Sequence, residues 1–234
     1  DLFISTCKVA TKELIRGSFC YDGEVMEVGM PRNDFLVKGE LTAAVEAVRK
    51  FYDLDEETKI VLYAPTYRYS STDVVLNADW LIRMLEQRGE KWVFLYRAHR
   101  YQEEGMKLHV TGQKIKNASA YPDMQELLAA ADMMITDYSS AVWDVFYQGK
   151  PVAFYLFDLD LYNEVQGSYI DMRTEAFGDV AYTPEQLSEI VKIYAESGFK
   201  EKDKYKEMRQ YRIAYIDDKN SERIYHEIIE RYPL

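Results

Sequence analysis

Glycine-rich phosphate loops are missing from this sequence. Neither the GxGxxG nor the GxxxxGKS/T pattern occurs in its 234 residues. Their absence weighs against a dinucleotide oxidoreductase and against a P-loop NTPase. The GxSxG nucleophile elbow of many hydrolases is absent as well.

Cysteines and long apolar runs are also scarce. The two cysteines, Cys7 and Cys20, form neither a metal-binding spacing nor a disulfide framework, so we expect both to stay reduced in a cytosolic setting. No apolar run approaches the roughly 18–20 residues of a membrane-spanning helix, and no signal peptide is visible. The chain begins with DLFIS, which is typical of the middle of a strand, and we expect it to be a fragment of a longer protein.

Basic residues are outnumbered by acidic ones. Lys and Arg total 29 against 40 Asp and Glu, which gives a net charge of −11. A general nucleic-acid surface needs a basic face that displaces counterions, so we expect no nucleic-acid partner. A local basic pocket for a small phosphorylated ligand remains compatible with this charge.

No metal site is predicted either. The three histidines, His99, His109 and His226, are not spaced as a ligand pair. Asp158 and Asp160 in FDLDLY could bind a cation, but we interpret them as part of a solvated loop.

The sequence does contain a regular alternation of apolar, strand-like runs with amphipathic, helix-like runs. The predicted strands cover residues 2–5, 25–28, 60–64, 92–96, 133–136 and 152–157. The predicted helices cover residues 8–19, 42–51, 78–88, 124–131, 141–148 and 184–197, and two more are expected between residues 201 and 234. Continuous apolar strands between helices predict an α/β protein with a Rossmann-like, doubly wound parallel sheet.

Polar segments follow three of the predicted strands. In open α/β sheets, ligands bind beyond the carboxyl ends of the strands. The segments are residues 64–68, 97–100 and 136–140. In the last of them, Ser139 or Ser140 is predicted to be the N-cap of a helix, where unpaired N–H groups can bind an anion. Simple helix capping, without any ligand, is the alternative.

The other two segments carry cations. Pro65 fixes the backbone after its strand, Thr66 adds a hydroxyl, and Arg68 could hold a phosphate through two hydrogen bonds. The alternative for Arg68 is a solvated loop arginine.

Arg97, His99 and Arg100 follow the next strand, and two cations beside a histidine suit a phosphate pocket. His99 could donate a hydrogen bond to a phosphate oxygen or move a proton near neutral pH, and a structural histidine is the alternative. We interpret His109 as a strand residue and His226 as a residue on the face of the last helix.

Taken together, these segments resemble the CDP-glycerol glycerophosphotransferase family, whose members build teichoic-acid-type polymers. The resemblance rests on VGMPRND, LYAPTYR, YRAH and YPDMQELLAAADMMITDYSS, on the D of the following AVWDVFYQGKPVAFYLFDLDLY, and more loosely on DDKNSERI. These segments occur in the family's order and span residues 2 to about 225.

The resemblance implies a GT-B architecture, in which the second of two Rossmann-like domains binds most of the donor. Residues 1–37 would be the end of the preceding domain and a hinge, and residues 38–234 the nucleotide-binding domain. The implied donor is CDP-glycerol or CDP-ribitol, with no metal and no cofactor. A lipid-linked acceptor would receive the polyol phosphate and CMP would leave, with peripheral contact at the inner face of the cell membrane.

Site residues are implied in the same way. His99 would bind the donor phosphate and stabilise its charge, and Arg32, Asn33 and Asp34 would form the hinge. The nucleotide-binding residues would be Pro65, Thr66, Arg68, Arg97, Thr136, Asp137, Ser139, Ser140 and Arg223.

The sequence also departs from the family pattern. DDKNSER lacks the usual glycine, which makes Ser221 and Arg223 weaker assignments, and Tyr67 stands where relatives often have tryptophan. The family's general-base histidine, in an HGT-type segment of the first domain, has no counterpart in this sequence.

Two other functions fit parts of the pattern. One is a GT-B sugar transferase or epimerase that uses a UDP-sugar, although such enzymes rarely combine APTYR with ITDYSS. The other is a nucleotide-binding module without turnover.

Overall fold

Two parallel sheets organise the part of the chain that the computed structural model describes, which comprises residues 2–37, 41–67, 91–98, 114–168 and 170–233. The smaller sheet pairs β1 (Leu2–Ser5) with β2 (Glu24–Glu27). The larger sheet contains β3 (Lys59–Tyr63), β4 (Trp92–Tyr96), β5 (Ile115–Asn117), β6 (Met133–Thr136), β7 (Val152–Tyr155) and β8 (Asp179–Ala181).

The strand order of the larger sheet is β5-β4-β3-β6-β7-β8, and all neighbours are parallel. The chain therefore proceeds outward from β3 to one edge, returns to the centre at β6, and proceeds to the other edge. This topology confirms the predicted Rossmann-like fold. Its switch point lies between β3 and β6, where Tyr63 is paired with Ile135, and such a point is where open α/β sheets bind ligands.

Helices cover both sheets. They are α1 (Lys8–Ala10), which continues as a π-helix (Thr11–Ser18), a 3₁₀ helix (Pro31–Leu36), α2 (Leu41–Tyr52), α3 (Met124–Ala130), α4 (Val142–Tyr147), α5 (Leu159–Val165), α6 (Pro184–Glu196), α7 (Asp203–Arg212) and α8 (Asn220–Arg231). The predicted pair of terminal helices is confirmed. The helix predicted over residues 78–88 lies outside the described residues.

The loop interpretation of Asp158 and Asp160 is wrong. Asp158 is the N-cap of α5 and Asp160 lies in its first turn, where a negative charge is favourable. The helix was hard to predict because Leu159 is its one buried residue. Strands β5 and β8 were also missed, since a strand of three residues has too few positions to reveal a period.

The central strands are apolar on both faces because each face packs on helices. On one face, Leu62 of β3 belongs to a cluster with Val48 of α2 and Val145 of α4. On the other face, Val61 of β3 belongs to a cluster with Val191 of α6. Adjacent residues of one strand thus enter opposite halves of the core, as the two-residue period of a strand requires.

The last helix returns to the first sheet. Ile224 of α8 packs with Met26 of β2 and with Val28, which follows β2. Ile224, a residue of the segment 38–234, therefore packs against residues of the segment 1–37. The division of the chain into residues 1–37 and 38–234 stays a prediction.

Lys150 links α4 to β7 and closes the end of α3. Helix α4 ends before Gly149, whose φ of +69° suits glycine, and Pro151 precedes the strand, as predicted. The Lys150 ammonium donates to the carbonyl oxygens of Leu128 (3.0 Å) and Ala129 (2.6 Å), which are left unpaired at the end of α3. Burial lowers the pKa of Lys150 from 10.5 to about 8.

This low pKa predicts that the protein becomes more stable as the pH rises above 8. Between the folded pKa of about 8 and the unfolded value of 10.5, only the unfolded chain holds the proton, so raising the pH favours the folded state. The gain from about pH 8 to about pH 9.5 should reach roughly 1.5 kcal/mol. Urea unfolding at a series of pH values measures it.

The matched variant is Lys150→Met, which keeps the length of the side chain and removes its proton. Its free energy of unfolding should lack this rise. Measurements stay below pH 10 because burial raises the pKa of Tyr96 to about 12, which makes stability fall as tyrosines ionise in the unfolded chain. Parallel pH curves for the two proteins would contradict the assignment.

Candidate functional site

The loop after β3 and the turn after β6 form one unit at the switch point. We call residues 64–67 the APTY loop and residues 136–140 the TDYSS turn. The Thr66 N–H donates to Oδ1 of Asp137 at 2.8 Å, and the Tyr138 N–H donates to the same oxygen at 2.6 Å. The Thr136 hydroxyl donates to the carbonyl oxygen of Ala64 at 2.8 Å. Two of the predicted strand-end segments are thus joined by direct hydrogen bonds.

Within the TDYSS turn, the residues divide into two groups. Thr136 and Asp137 are buried, and the bonds above hold the turn in shape. Ser139 is half-buried and Ser140 is exposed, so their hydroxyls are the groups that a ligand can reach. The arrangement can therefore present serine hydroxyls to an anion, with Thr136 and Asp137 acting through the backbone that they fix.

The prediction that Ser139 or Ser140 is the N-cap of α4 is wrong. The N-cap is Ala141, which makes no side-chain capping bond. The chain enters α4 through tight turns instead, since the N–H groups of Val142 and Trp143 bond to the carbonyl oxygens of Ser139 and Ser140, both at 3.2 Å. These 3₁₀-type bonds at the helix start displace the cap by one residue.

Tyr138 connects the TDYSS turn to α5. Its ring stacks on Tyr162, with centroids 3.5 Å apart and planes 9° apart. Its hydroxyl donates to Oδ1 of Asp158 at 3.3 Å. Asp158, which we predicted to lie in a solvated loop, thus helps to position the predicted ligand-binding turn.

Arg97 anchors a neighbouring loop. Its Nη1 donates to the carbonyl oxygens of Ala118 (2.9 Å) and Tyr121 (2.7 Å), and the Ala98 N–H donates to the Ser119 hydroxyl at 2.9 Å. These bonds tie the end of β4 to the turn after β5. The nucleotide contact of Arg97 stays a prediction.

The other residues of the strand-end segments and the other histidines are as follows. Arg68, His99, Arg100 and His109 lie outside the described residues. His226 lies on α8 with 69% of its side chain exposed, which confirms its interpretation as a helix-face residue.

A buried carboxylate of α4 is hydrogen-bonded to the segment that follows β2. We call residues 31–34 the PRND segment. Asp144 of α4, with 4% of its side chain exposed, accepts hydrogen bonds from Arg32 Nε at 3.1 Å, Asn33 Nδ2 at 2.8 Å and Gln125 Nε2 at 2.9 Å. The sequence assigned no role to Asp144, although a lone acid among the apolar residues of VWDVFY was a usable signal.

Asp34 binds the start of α8. Its Oδ1 accepts the Asn220 N–H at 2.8 Å, and its Oδ2 accepts the Ser221 N–H at 2.9 Å. Burial raises the pKa of Asp34, but the hydrogen bonds from Ser221 and Asn220 outweigh it and leave the pKa below its usual value. Gly29, at a φ of +87°, is required here because a Cβ would overlap Oδ1 of Asn220. The VGMPRND and DDKNSER segments therefore contact each other directly.

Arg223 strengthens the same contact. Two of its nitrogens bond to the Asp217 carboxylate, both at 2.9 Å, and Nε donates to the carbonyl oxygen of Val28 at 3.2 Å. Its guanidinium lies 3.8 Å from the centre of the Tyr215 ring. The bond from Arg223 holds the pKa of Asp217 below its usual range. These contacts hold α8 to the end of β2, and nucleotide binding by Arg223 stays a prediction.

A cavity of about 210 Å³ lies between α1, the PRND segment, α4 and the end of α7. Ser140 lines it, so the cavity adjoins the TDYSS turn. Arg32, Trp143, Arg212 and Ile213 also line it. The cavity thus joins the predicted hinge to the predicted donor site.

The described ranges lack metal-binding clusters and membrane-spanning helices. They contain no cluster of three His, Cys, Asp or Glu side chains that could hold a metal ion. No helix in these ranges has the length and apolar character needed to cross a bilayer. Cys7 is a buried free thiol and Cys20 an exposed one.

Curated proteins and solved structures resemble this chain. It is 29% identical over 206 residues to the teichoic acid poly(glycerol phosphate) polymerase of Bacillus subtilis, covering 86% of this chain and 28% of that protein. The corresponding protein of Bacillus spizizenii is 29% identical over 200 residues, covering 82% of this chain and 50% of that protein. This chain therefore spans half or less of these two relatives.

Among solved structures, the wall teichoic acid polymerase TagF has a TM-score of 0.79 at 25% identity, covering 100% of this chain and 59% of that chain. A TagF variant soaked with CDPG gives a TM-score of 0.78 at 25% identity, covering 100% of this chain and 58% of that one. The MnaA–UDP structure from S. aureus has a TM-score of 0.57 at 15% identity, covering 100% of this chain and 62% of that one, which shows a shared fold alone.

The family comparison covers nearly the whole chain. The sequence profile of the family described as CDP-Glycerol:Poly(glycerophosphate) glycerophosphotransferase matches residues 1–230. The match includes the PRND segment, the APTY loop and the TDYSS turn. The chain therefore belongs to the CDP-glycerol:poly(glycerophosphate) glycerophosphotransferase family.

Proposed function

We propose that the protein containing this chain transfers glycerol phosphate from CDP-glycerol to an acceptor hydroxyl during synthesis of a teichoic-acid-type polymer. Family membership supports the reaction class. The observation that carries the site assignment is the 2.8 Å bond from Thr66 N–H to Asp137, which joins the APTY loop to the TDYSS turn at the switch point of the sheet.

In this proposal the TDYSS turn binds the donor diphosphate. The hydroxyls of Ser139 and Ser140 donate to its oxygens. Arg68 and His99 follow β3 and β4 in the sequence, and the carboxyl ends of these strands are adjacent. Both residues are therefore assigned to the phosphates of the same donor. Charge that develops on the leaving phosphate is stabilised by these donors without a metal ion.

The chemistry is displacement at phosphorus. An oxygen of the acceptor hydroxyl bonds to the β-phosphorus of CDP-glycerol, the bond from that phosphorus to the bridging oxygen breaks, and CMP leaves with the electron pair. The proton of the hydroxyl goes to a general base, which the family resemblance locates in the first domain. His99 acts on the donor side, by binding phosphate.

The proposal extends to partners and organisation. CDP-ribitol is the alternative donor, and the acceptor is a lipid-linked polyol phosphate or glycan at the inner face of the cell membrane. Residues 1–37 form the end of the preceding domain with a hinge, and residues 38–234 bind the nucleotide. Helix α8 crosses back to the first part, as its contact with Met26 indicates.

Calorimetry tests the donor. The protein is titrated with CDP, CDP-glycerol, CDP-ribitol, UDP and UDP-N-acetylglucosamine, and the CDP-polyols should bind most tightly. Replacing Ser139 and Ser140 together by alanine should weaken CDP-glycerol binding by roughly 10-fold or more, because two donors to a charged phosphate are lost. Tighter binding of the UDP-sugar than of any CDP ligand would refute the proposal.

The matched control is Ser197→Ala. Ser197 is exposed at the C-terminal end of α6 and donates to the carbonyl oxygen of Tyr194 at 2.8 Å. This variant also loses a serine hydroxyl, and its affinity for CDP-glycerol should equal that of the wild type. Release of CMP from CDP-glycerol in the presence of acceptor distinguishes a transferase from a module that binds without turnover.

A further inference from the structure

Arg212 is a buried cation at the wall of the cavity. It is the last residue of α7, and 9% of its side chain is exposed. Its ion-pair partner is Glu175, whose Oε1 lies 3.9 Å from Nη2, too far for a hydrogen bond. No hydrogen bond joins its side chain to another residue in the described part of the chain. A guanidinium has five N–H donors, and no nitrogen of Arg212 is among the fully buried atoms without a partner, so a ligand in the cavity can reach them.

Arg32 is the second cation of the same cavity. Its Nε bonds to both oxygens of Asp144 at 3.1 Å, which fixes the side chain. Its two terminal nitrogens make no hydrogen bond within the described ranges, and 48% of the side chain is exposed. These nitrogens remain available to a ligand.

The carboxylates at the cavity are already paired. Asp144 accepts bonds from Arg32, Asn33 and Gln125. Glu13 lies 2.9 Å from the ammonium of Lys12, and 44% of its side chain is exposed. Neither of these carboxylates pairs with Arg212, whose ion-pair partner Glu175 lies outside the cavity lining. The hydrogen-bond donors of Arg212 can therefore serve an anion in the cavity.

We propose that this cavity binds a polyol phosphate, with Arg212 and Arg32 donating to its phosphate oxygens. Trp143 and Ile213 supply apolar surface for the carbon atoms. The cavity volume of about 210 Å³ is below the roughly 300–1,000 Å³ of sites for larger ligands, so one polyol phosphate unit suits it better than a whole CDP-polyol.

The inference rests on the proposed function, because Ser140 lines the cavity and belongs to the donor turn. Two substrates of that reaction contain a polyol phosphate. The acceptor contains it in its terminal unit, and the donor contains it in the part that is transferred. Arg212 would bind the phosphate of either substrate in the same way, and steady-state kinetics distinguishes the acceptor from the donor.

Binding of sn-glycerol 3-phosphate, followed by NMR titration, is the direct test. Arg212→Gln and Arg32→Gln should each weaken it by roughly 10- to 100-fold, since each removes charge-assisted hydrogen bonds. The matched control is Arg209→Gln on the same helix, where the arginine bonds to Glu201 at 3.0 and 2.8 Å and does not line the cavity. Thermal unfolding checks that each variant folds, and the half-exposed Arg32 carries the test if Arg212→Gln does not fold.

Steady-state kinetics identifies the source of the group. A higher KM for acceptor with unchanged affinity for CDP-glycerol indicates the acceptor unit. Weaker binding of CDP-glycerol with unchanged binding of CDP indicates the donor. Folded cavity variants that bind glycerol phosphate as well as Arg209→Gln does would overturn the inference. If the wild type binds glycerol phosphate through Arg212 but binds no CDP-polyol, the proposed function fails and the cavity assignment stands.

Discussion

Replacing Asp144 by alanine should lower the free energy of unfolding by about 2–4 kcal/mol. The carboxylate is buried and accepts hydrogen bonds from three side chains. Its loss leaves the buried amide of Asn33 and the partly buried amide of Gln125 without their acceptor. Arg32 is half-exposed, so water can solvate its guanidinium, and this limits the cost. Urea denaturation measures the change.

Two variants make the Asp144 measurement specific. Asp144→Asn keeps the shape and one acceptor oxygen, and should be less destabilised than Asp144→Ala. Asp160→Ala removes a carboxylate that is 87% exposed and paired with Arg173, which should cost under roughly 1 kcal/mol. Equal stabilities of Asp144→Ala and Asp160→Ala would mean that the PRND segment is not anchored through α4.

Replacing His99 by alanine should lower kcat by roughly 100- to 1,000-fold. His99 follows Arg97, which the structure ties to the turn after β5. The end of β4 is adjacent to β3, whose loop bonds to the TDYSS turn. A histidine at that edge would stabilise charge on the donor phosphate, and alanine cannot. The measurement is the rate of CMP release at saturating CDP-glycerol and acceptor.

The control for His99 is His226→Ala. His226 is exposed on α8, and its nearest charged partner is Glu222 at 3.6 Å, one turn away on the same helix. This variant should keep the wild-type kcat. A His99→Ala protein that releases CMP at the wild-type rate would remove His99 from the mechanism.

Much of the fold was predictable because the strands are buried on both faces. A run such as WVFLY has no polar position, and β4 was predicted with its observed ends, Trp92–Tyr96. Helix α5 and the short strands β5 and β8 lacked such a signal. The return of α8 to the first sheet was not predictable, since the pairing of Ile224 with Met26 depends on tertiary packing alone.

The candidate site also has a part that the sequence predicts and a part that it does not. Strand ends in a parallel sheet meet at one edge, so the proximity of Thr66 and Asp137 follows from topology. The start of α4 was misplaced because serine preference competes with 3₁₀ turns that the sequence does not reveal. Arg212 was missed because MRQYR is typical of a solvated helix, and burial against another part of the chain decides its environment.

The bond between Asp34 and Asn220 also has a consequence for biosynthesis. These residues are 186 positions apart, and a nascent chain leaves the ribosome at roughly 5–20 residues per second. The six-stranded sheet is complete at Ala181, so its strands can pair while the chain is still growing. The PRND segment acquires its second anchor only when α8 emerges. The orientation of the two sheets is therefore among the last features to be fixed, after the sheet edge with the APTY loop and the TDYSS turn has already formed.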